Sequence, residues 1–474
     1  MRPSTRPPTR YEALADEIAA SIRAGTLRPG DRLPSVRQTA ASRDVNPSTV
    51  FQAYYRLEAR GLIRAQARSG YYVAAAAPPA EPERTSEPDT DSIAVDVGER
   101  VFAILKATMR RDVVPLGSAF PSPLLFPLQR LAKTMAATVQ KLDPRASVDH
   151  LHQGNLALRR QIALRYLVDG LHVDADDLVV TNGAMEALHL GLAAVTRPGD
   201  AVAVESPTFY AALQALEQRG LRAIEVATHP REGVELGALA EVLERQRPAA
   251  CWLMTNFQNP LGSLMPEAKK RELVALLARH DTPLIEDDVY GELYFGARRP
   301  PPSKAYDEHG LVLHCSSFSK CLAPGYRIGW IAPGRYLQTV ARLKLSTTLT
   351  ASTPAETALA AYLEHGGYDR HLRKLRQTLA AQQEAMLAAI ARHFPPATRA
   401  TRPYGGYFLW LELPPGVDAM ELHRRALAQS ISVAPGPVFS SRARFEHGLR
   451  LNYGHPWDER IEAAMATLGH LAGT

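Results

Sequence analysis

Cysteine is scarce. Cys251, Cys315 and Cys321 are the only three in 474 residues, and no two of them form a CxxC pair. No disulfide framework can be built from them, and a reducing, cytoplasmic setting is expected. Long apolar runs are missing as well: no stretch reaches the ~18 uninterrupted apolar residues of a membrane-spanning helix. Residues 1–10 carry Pro and Arg where a secretory signal would have its apolar core, so no such signal is expected. Neither GxGxxG nor GxxxxGK[ST] occurs, which leaves dinucleotide-binding and P-loop enzymes without support. No His/Cys/Asp spacing suggests a metal site, so none is expected.

What is present is unevenly distributed. The net charge is +6, and the first 75 residues carry all of it, with twelve arginines against six acidic residues. The rest of the chain is balanced. A basic head and a neutral body are the footprint of a chain whose N-terminal part meets a polyanion. The length implies two or three units. Residues 76–95, AAPPAEPERTSEPDTDSIAV, are rich in Pro and acidic residues without apolar periodicity and read as a linker, extended in part. The expected division is a head over 8–75, a linker and connecting helix over 76–111, and a body over 112–474. Within the body, a large domain spans about 140–345 and a small one 112–139 with 346–474.

In the head, Tyr11, Leu14, Ile18 and Ile22 mark one face of a first helix closed by Gly25. Ser35 can cap a second helix, Val36 to Ser42. Asn46 can cap a third, with Pro47 in its first position and Gly61 after Arg60 as its stop. Leu62–Ala65 and Tyr71–Ala74 read as two strands turned near Arg68-Ser69-Gly70. This order is a winged helix-turn-helix. Ser48, Thr49 and Gln52 lie on the leading turns of the third helix, where hydroxyls can approach phosphates or base edges and Gln can read adenine. Arg32, Arg37 and Arg68 are placed to hold phosphates around the groove, and Ser35 is a further DNA-binding candidate. The string PGDRLPSVRQTAASRDVNPSTVFQAYYRLEARGLI resembles the winged helix-turn-helix of GntR-type regulators, which implies operator DNA as the partner.

In the body, apolar runs alternate with amphipathic helical stretches. Leu178–Thr181, Ala201–Val204, Cys251–Thr255, Pro283–Glu286 and Leu311–Cys315 are the runs, and helices start near Ala184 and Tyr210. The pattern predicts an α/β fold with a doubly wound, mostly parallel sheet, whose ligands sit at the carboxyl ends of the strands. Candidate residues fall at those ends. Asp287 could pair with a pyridinium nitrogen, and Tyr290 and Asn259 could donate to a phenolic oxygen on the same ring. Gly183, Ala184 and Met185 join a strand to a helix, where backbone N–H groups can bind a phosphate. Ser317, Ser319 and Arg327 could complete the cradle around Lys320, and Phe209 could stack on a ring. Taken singly, Asp287 also fits a helix cap, Asn259 a turn, Phe209 core packing and Lys320 a solvated charge.

Together these positions resemble the fold-type I aminotransferases, from about residue 112 to the end. The resemblance implies pyridoxal 5'-phosphate as cofactor, Lys320 as its Schiff-base lysine, and Asp287 and Tyr290 as further catalytic residues. It also implies that Arg450, in Gly448-Leu449-Arg450-Leu451-Asn452, grips a substrate or effector carboxylate. Two positions depart from the pattern: Asp149 stands where a tyrosine often reaches the partner subunit's phosphate, and Phe209 where tyrosine is commoner. Head and body together resemble the MocR subfamily of GntR regulators. That implies a homodimeric regulator whose body senses an amine, an amino acid or a B6 vitamer; the alternative is a working aminotransferase carrying a DNA-binding head.

Overall fold

The computed structural model describes residues 9–474 except 24, 25, 29, 60, 61, 67, 68, 74–77, 109, 150 and 366. Two compact units divide the chain, one made of residues up to Pro79 with Leu387–Arg392 and the other of Ala80–Met386 with His393–Thr474.

The first unit contains α1 (Arg10–Arg23), α2 (Val36–Arg43), α3 (Pro47–Ala59), β1 (Ile63–Gln66) and β2 (Gly70–Val73). Its core is supplied at helical spacing by Leu14, Ala15 and Ala19 of α1 and by Val50, Ala53, Tyr54 and Leu57 of α3, closed by Leu33, Ala40, Ile63 and Val73. Ser35 and Gln38 form a reciprocal capping box that starts α2. Asp44 takes a left-handed conformation in the bend, and the Asn46 side chain accepts the Ser48 N–H at 3.0 Å where α3 begins. The buried Tyr54 hydroxyl locks α2 to α3, lying 2.8 Å from Thr39 Oγ1 and donating to Pro34 O at 2.9 Å. The two strands pair antiparallel with Ile63 opposite Val73. Gly25, Arg60, Gly61 and Arg68, to which the sequence assigns roles, lie outside the described residues.

The second unit continues the numbering in chain order. Its first half holds β3 (Ile93–Ala94), α4 (Gly98–Thr108), α5 (Leu128–Val139), α6 (Leu156–Val168), β4 (Val179–Thr181), α7 (Ala184–Val195), β5 (Ala201–Ser206) and α8 (Tyr210–Gln218). There follow β6 (Arg222–His229), β7 (Gly233–Val234), α9 (Leu236–Gln246), β8 (Ala250–Leu253), α10 (Glu267–Arg279), β9 (Leu284–Asp287), β10 (Val312–Ser317) and β11 (Gly329–Ala332). The last part is α11 (Leu337–Thr347), α12 (Thr353–Glu364), α13 (Gly367–His393), β12 (Arg399–Ala400), β13 (Phe408–Glu412), α14 (Ala419–Leu427), β14 (Ala434–Pro435), β15 (Gly448–Asn452) and α15 (Glu459–Ala472).

Among the described residues the main sheet runs β3-β6-β5-β8-β9-β10-β11-β4, with β7 beside β6. From β6 to β10 the neighbours are parallel. β11 is antiparallel to both β10 and β4, so β4 points the same way as the parallel set. Strand side chains alternate between two helical layers. Val202 and Val204 pack with α7 and α8, whereas Ala203 between them packs with α9 and α10. A smaller antiparallel sheet, β12-β13-β15-β14, makes the second lobe. The carboxyl ends of β4, β5, β8, β9 and β10 therefore share one edge, where the candidate residues lie.

Residues 80–94, expected as linker, are laid along the body. Ala400 N donates to Ala80 O at the edge of the small sheet. Ser86 Oγ donates to Ser206 O at 2.6 Å and accepts from Thr228 N, while Ser86 N donates to Thr228 O. Gln246 Nε2 donates to Thr90 O, Arg222 bonds Ser92, Arg442 pairs with Asp89, and Ile93 pairs with Ala223 of β6. A polar, Pro-rich string has no apolar pattern to betray such docking, because backbone groups and short hydroxyls carry it. Replacing Ser86 with Ala removes two hydrogen bonds worth about 1.4 kcal/mol together. Amide exchange measured by mass spectrometry over residues 84–92 is expected to accelerate about tenfold while the main sheet keeps its protection.

Candidate cofactor site and DNA-facing surface

Lys320 follows β10 through the turn Phe318–Ser319. Its Nζ donates to Ala119 O at 2.9 Å and lies 3.7 Å from the centroid of the Phe120 ring. Burial, together with the Arg450 and Arg327 charges, lowers its pKa to about 7; the Asp287 carboxylate opposes that shift. An amine near neutrality is a competent nucleophile toward an aldehyde. Asp287 is the last residue of β9 and is fully buried. Burial and the neighbouring Asp288 charge raise its carboxyl to about 7, against the opposing Val289 N–H and Lys320. Its Oδ1 has no hydrogen-bond partner.

Two more buried polar atoms at this edge are without partners. Arg450, on the central strand β15 of the small sheet, spends Nη1 on Asn259 Oδ1 at 3.0 Å and Nη2 on Gly117 O at 2.7 Å, while its Nε is unpaired. Asn259 thus shows its Oδ1 to arginine and leaves Nδ2 free. The Arg450 guanidinium sits 4.3 Å from the Phe408 ring and 5.8 Å from that of Tyr210. Tyr290 is buried edge-on against Tyr407 and Phe408, and burial raises its phenol above the usual range. One acceptor and two donors left unpaired in a closed site are costly unless a ligand answers them.

The anion end of the site is built around Gly183, which has φ +80 and precedes α7. A Cβ there would stand 2.6 Å from Arg327 Nη2, so only glycine lets the guanidinium approach the helix start. Arg327 also reaches Ser319 Oγ and Asn182 O, both at 3.5 Å, and Ser317 Oγ accepts the Ser319 N–H. Gly183 offers no capping side chain, so the N–H groups of Ala184 and Met185 face the same point as the arginine. Phe209 is half-buried at the start of α8, with its ring centroid 4.9 Å from that of Tyr210. The residues expected from sequence in the body therefore fall at the carboxyl edge of the main sheet, except Arg450, which lies on β15 of the small sheet and bonds Asn259. Asp149 is exposed in a turn. The loop Gly117–Phe120, which receives both Lys320 and Arg450, has no signal in the sequence. Ala119 lies 201 positions before Lys320 and Gly117 lies 333 before Arg450, and the loop carries no charged side chain.

On the head, Arg32, Arg37, Ser48 and Gln52 are exposed and Thr49 is partly so. The Ser35 hydroxyl is engaged in its cap, and the Ser48 hydroxyl donates to Asn46 Oδ1 at 2.9 Å. Arg43 and Arg56 are tied to Glu17 and Glu12, whereas Arg32 and Arg37, like Arg10, Arg28 and Arg64, are exposed without an ion pair to another described residue.

Residues 123–468 match the family model for aminotransferase class I and II, and residues 10–73 that for bacterial regulatory proteins of the gntR family. The uncharacterized HTH-type transcriptional regulator YdcR of Escherichia coli is 46% identical over 98% of each chain. The Pyrococcus horikoshii kynurenine aminotransferase, solved with PMP, superposes with a TM-score of 0.73 at 28% identity, covering 79% of this chain and 94% of that one. LysN, the alpha-aminoadipate aminotransferase of Thermus thermophilus, gives 0.71 at 30%, covering 79% and 96%. These enzymes match the body alone, whereas the regulator matches head, connecting segment and body together. The chain belongs to the MocR type of GntR-family transcription regulators, with a pyridoxal-phosphate-dependent aminotransferase fold as its body.

Proposed function

We propose that this protein reads operator DNA with its head and an amine, amino acid or B6 vitamer with its body, as a cytoplasmic homodimer. The observation that carries the sensing half is the set of unpaired buried atoms, Asp287 Oδ1, Asn259 Nδ2 and Arg450 Nε, around a lysine of lowered pKa. That set fits pyridoxal 5'-phosphate, which supplies an aldehyde and an electron-withdrawing ring when bound. Asp287 would keep a proton on the ring nitrogen. Asn259 and Tyr290 would donate to the ring oxygen, and Phe209 would cover the ring face. Gly183, Ala184, Met185, Ser317, Ser319 and Arg327 would hold the phosphate. Lys320 would hold the aldehyde carbon, and Arg450 would orient an effector carboxylate.

An effector shifts a conformational equilibrium only by its difference in affinity for the two states. Residues 80–94 offer a route for that difference, because they bond both the small sheet at Ala400 and the end of β5 at Ser206, three residues before Phe209. A change in spacing between the lobes would pull on the segment that continues from the head.

Three outcomes are expected. Purified protein given cofactor shows a near-ultraviolet or visible band that is missing in Lys320→Ala, and that variant loses its effector-dependent change in DNA affinity; a retained response removes Lys320 as the trigger. In cofactor-free protein, labelling of Lys320 by an amine-directed reagent, followed by peptide mass spectrometry, rises through about pH 7. Because the Asp287 carboxylate holds the ammonium form, Asp287→Asn moves that midpoint to lower pH, and Arg450→Ala moves it higher. Finally, Arg37→Ala lowers the salt slope of operator binding by about 0.9 for each phosphate that is no longer neutralised; an unchanged slope in a salt titration takes Arg37 off the phosphate.

A further inference from the structure

The outer face of α3 carries more than polar residues. Val50, Ala53, Tyr54 and Leu57 turn inward, and at helical spacing that sets Ser48, Phe51, Gln52 and Tyr55 on the opposite face. Phe51 is 54% exposed and Tyr55 66%, in a helix whose inward face is otherwise closed. Two large rings one turn apart on a small basic unit are not core, and no ring contact between either of them and another aromatic is found among the described residues. Their neighbours on the face are Ser48 and Gln52, and the unit bearing them holds the whole net positive charge of the chain.

We propose that Phe51 is a specificity-determining residue that reads the C5 methyl group of a thymine in the major groove. The inference deepens the operator-binding reading and rests on it. A phenyl ring has no hydrogen-bonding atom, so it cannot distinguish bases by donors and acceptors. The thymine methyl is the one apolar group that the base pairs present in the major groove, and phenylalanine is among the side chains that contact it. Charge complementarity selects DNA over another apolar partner, because Arg32 and Arg37 are exposed on the same unit without an internal ion pair among the described residues. Gln52, the next residue, carries the amide that pairs with adenine. Tyr55 lies four residues on, about 6 Å along the helix axis. That is roughly two base-pair steps at ~3.4 Å each, and its hydroxyl can donate to a phosphate there.

The test uses the full chain. Operator sequences are selected from a random duplex library, and each thymine of the winner is then replaced singly by deoxyuridine, which deletes only the methyl. Loss of one buried methyl corresponds to about fourfold weaker binding, from ~0.8 kcal/mol per group. The expected result is one thymine per half-site whose replacement weakens wild-type binding about fourfold, and a Phe51→Ala variant that binds thymine and deoxyuridine operators equally. Because Phe51 is largely exposed, the variant should keep its fold, which an unchanged circular dichroism melt verifies. Indifference of the wild type to every replacement, or discrimination retained by Phe51→Ala, overturns the proposal while leaving operator binding intact. Dissociation of the oligomer by Phe51→Ala, without loss of methyl discrimination, would assign the ring to a protein contact and also overturn it. Failure to select any sequence would sink operator binding itself, a separate outcome.

Discussion

A carboxylate held in a closed site without a hydrogen-bond partner for one of its oxygens is the constraint on which the body depends. Asp287 ends β9, and Asp288 follows it. Consecutive extended residues point to opposite sides of a sheet, so the two carboxylates enter different surroundings. Asp288 is heavily partnered: Arg299 reaches its Oδ2 at 2.5 Å, His314 Nε2 at 3.1 Å, and Asn256 donates to Oδ1. Behind it, the Tyr166 hydroxyl lies 2.6 Å from His314 Nδ1 and accepts from Trp330. These contacts outweigh burial and hold Asp288 ionised well below the usual carboxylate range. Burial raises Asp287 and the fixed charge of Asp288 adds to it, with only the Val289 N–H and Lys320 in opposition. The arrangement stays costly until a cation or a proton donor is placed against Asp287 Oδ1.

The lobes are stitched together around that edge by carboxylates and serines. Glu225, buried on β6, accepts from Ser206 Oγ in the large sheet and from Ser440 and Ser441 of the small lobe. Thr208 N donates to Phe439 O beside it. Ser86 joins the same corner through Ser206 O. The stretch Ser206–Phe209 is therefore held from three directions, by the main sheet, the small lobe and the docked segment. A ligand that presses on Phe209 acts on a place where all three meet. Hydrogen bonds of this kind are individually weak, and a few of them suffice to bias an equilibrium between states close in energy.

What is legible in the sequence is chemistry carried by short strings. Lys320, Asp287, Gly183 and the cap of α2 each sit in a few residues whose turn or strand-end character is local. Strand limits are nearly legible, with β9 ending on Asp287 and β10 extending through Ser317, because apolar runs stop where the strands approach the site. The antiparallel β11 and the short strands of the small sheet are not legible, since register between distant strands leaves no trace in one-dimensional periodicity. Nor is the meeting of Ala119 and Phe120 with Lys320. The docked course of residues 80–94 escapes for a related reason: composition reports the lack of an apolar face, and this segment is held by its backbone.

The head shows the opposite failure, in which a pattern is visible and points the wrong way. Apolar residues at helical spacing ordinarily mean core, which hides Phe51 and Tyr55 behind the more obvious Ser48, Thr49 and Gln52. Only exposure separates the two aromatics from Tyr54, which is wholly buried beside them. The distinction matters for how selectivity arises. Exposed arginines such as Arg32 and Arg37 would attract any duplex, and such attraction weakens with salt whatever the sequence. Direct discrimination comes from groups that touch base edges, and on α3 the exposed set is small. Ser48 already gives its hydroxyl proton to Asn46. An apolar ring beside Gln52 then becomes a large part of what the helix has available to tell one sequence from another.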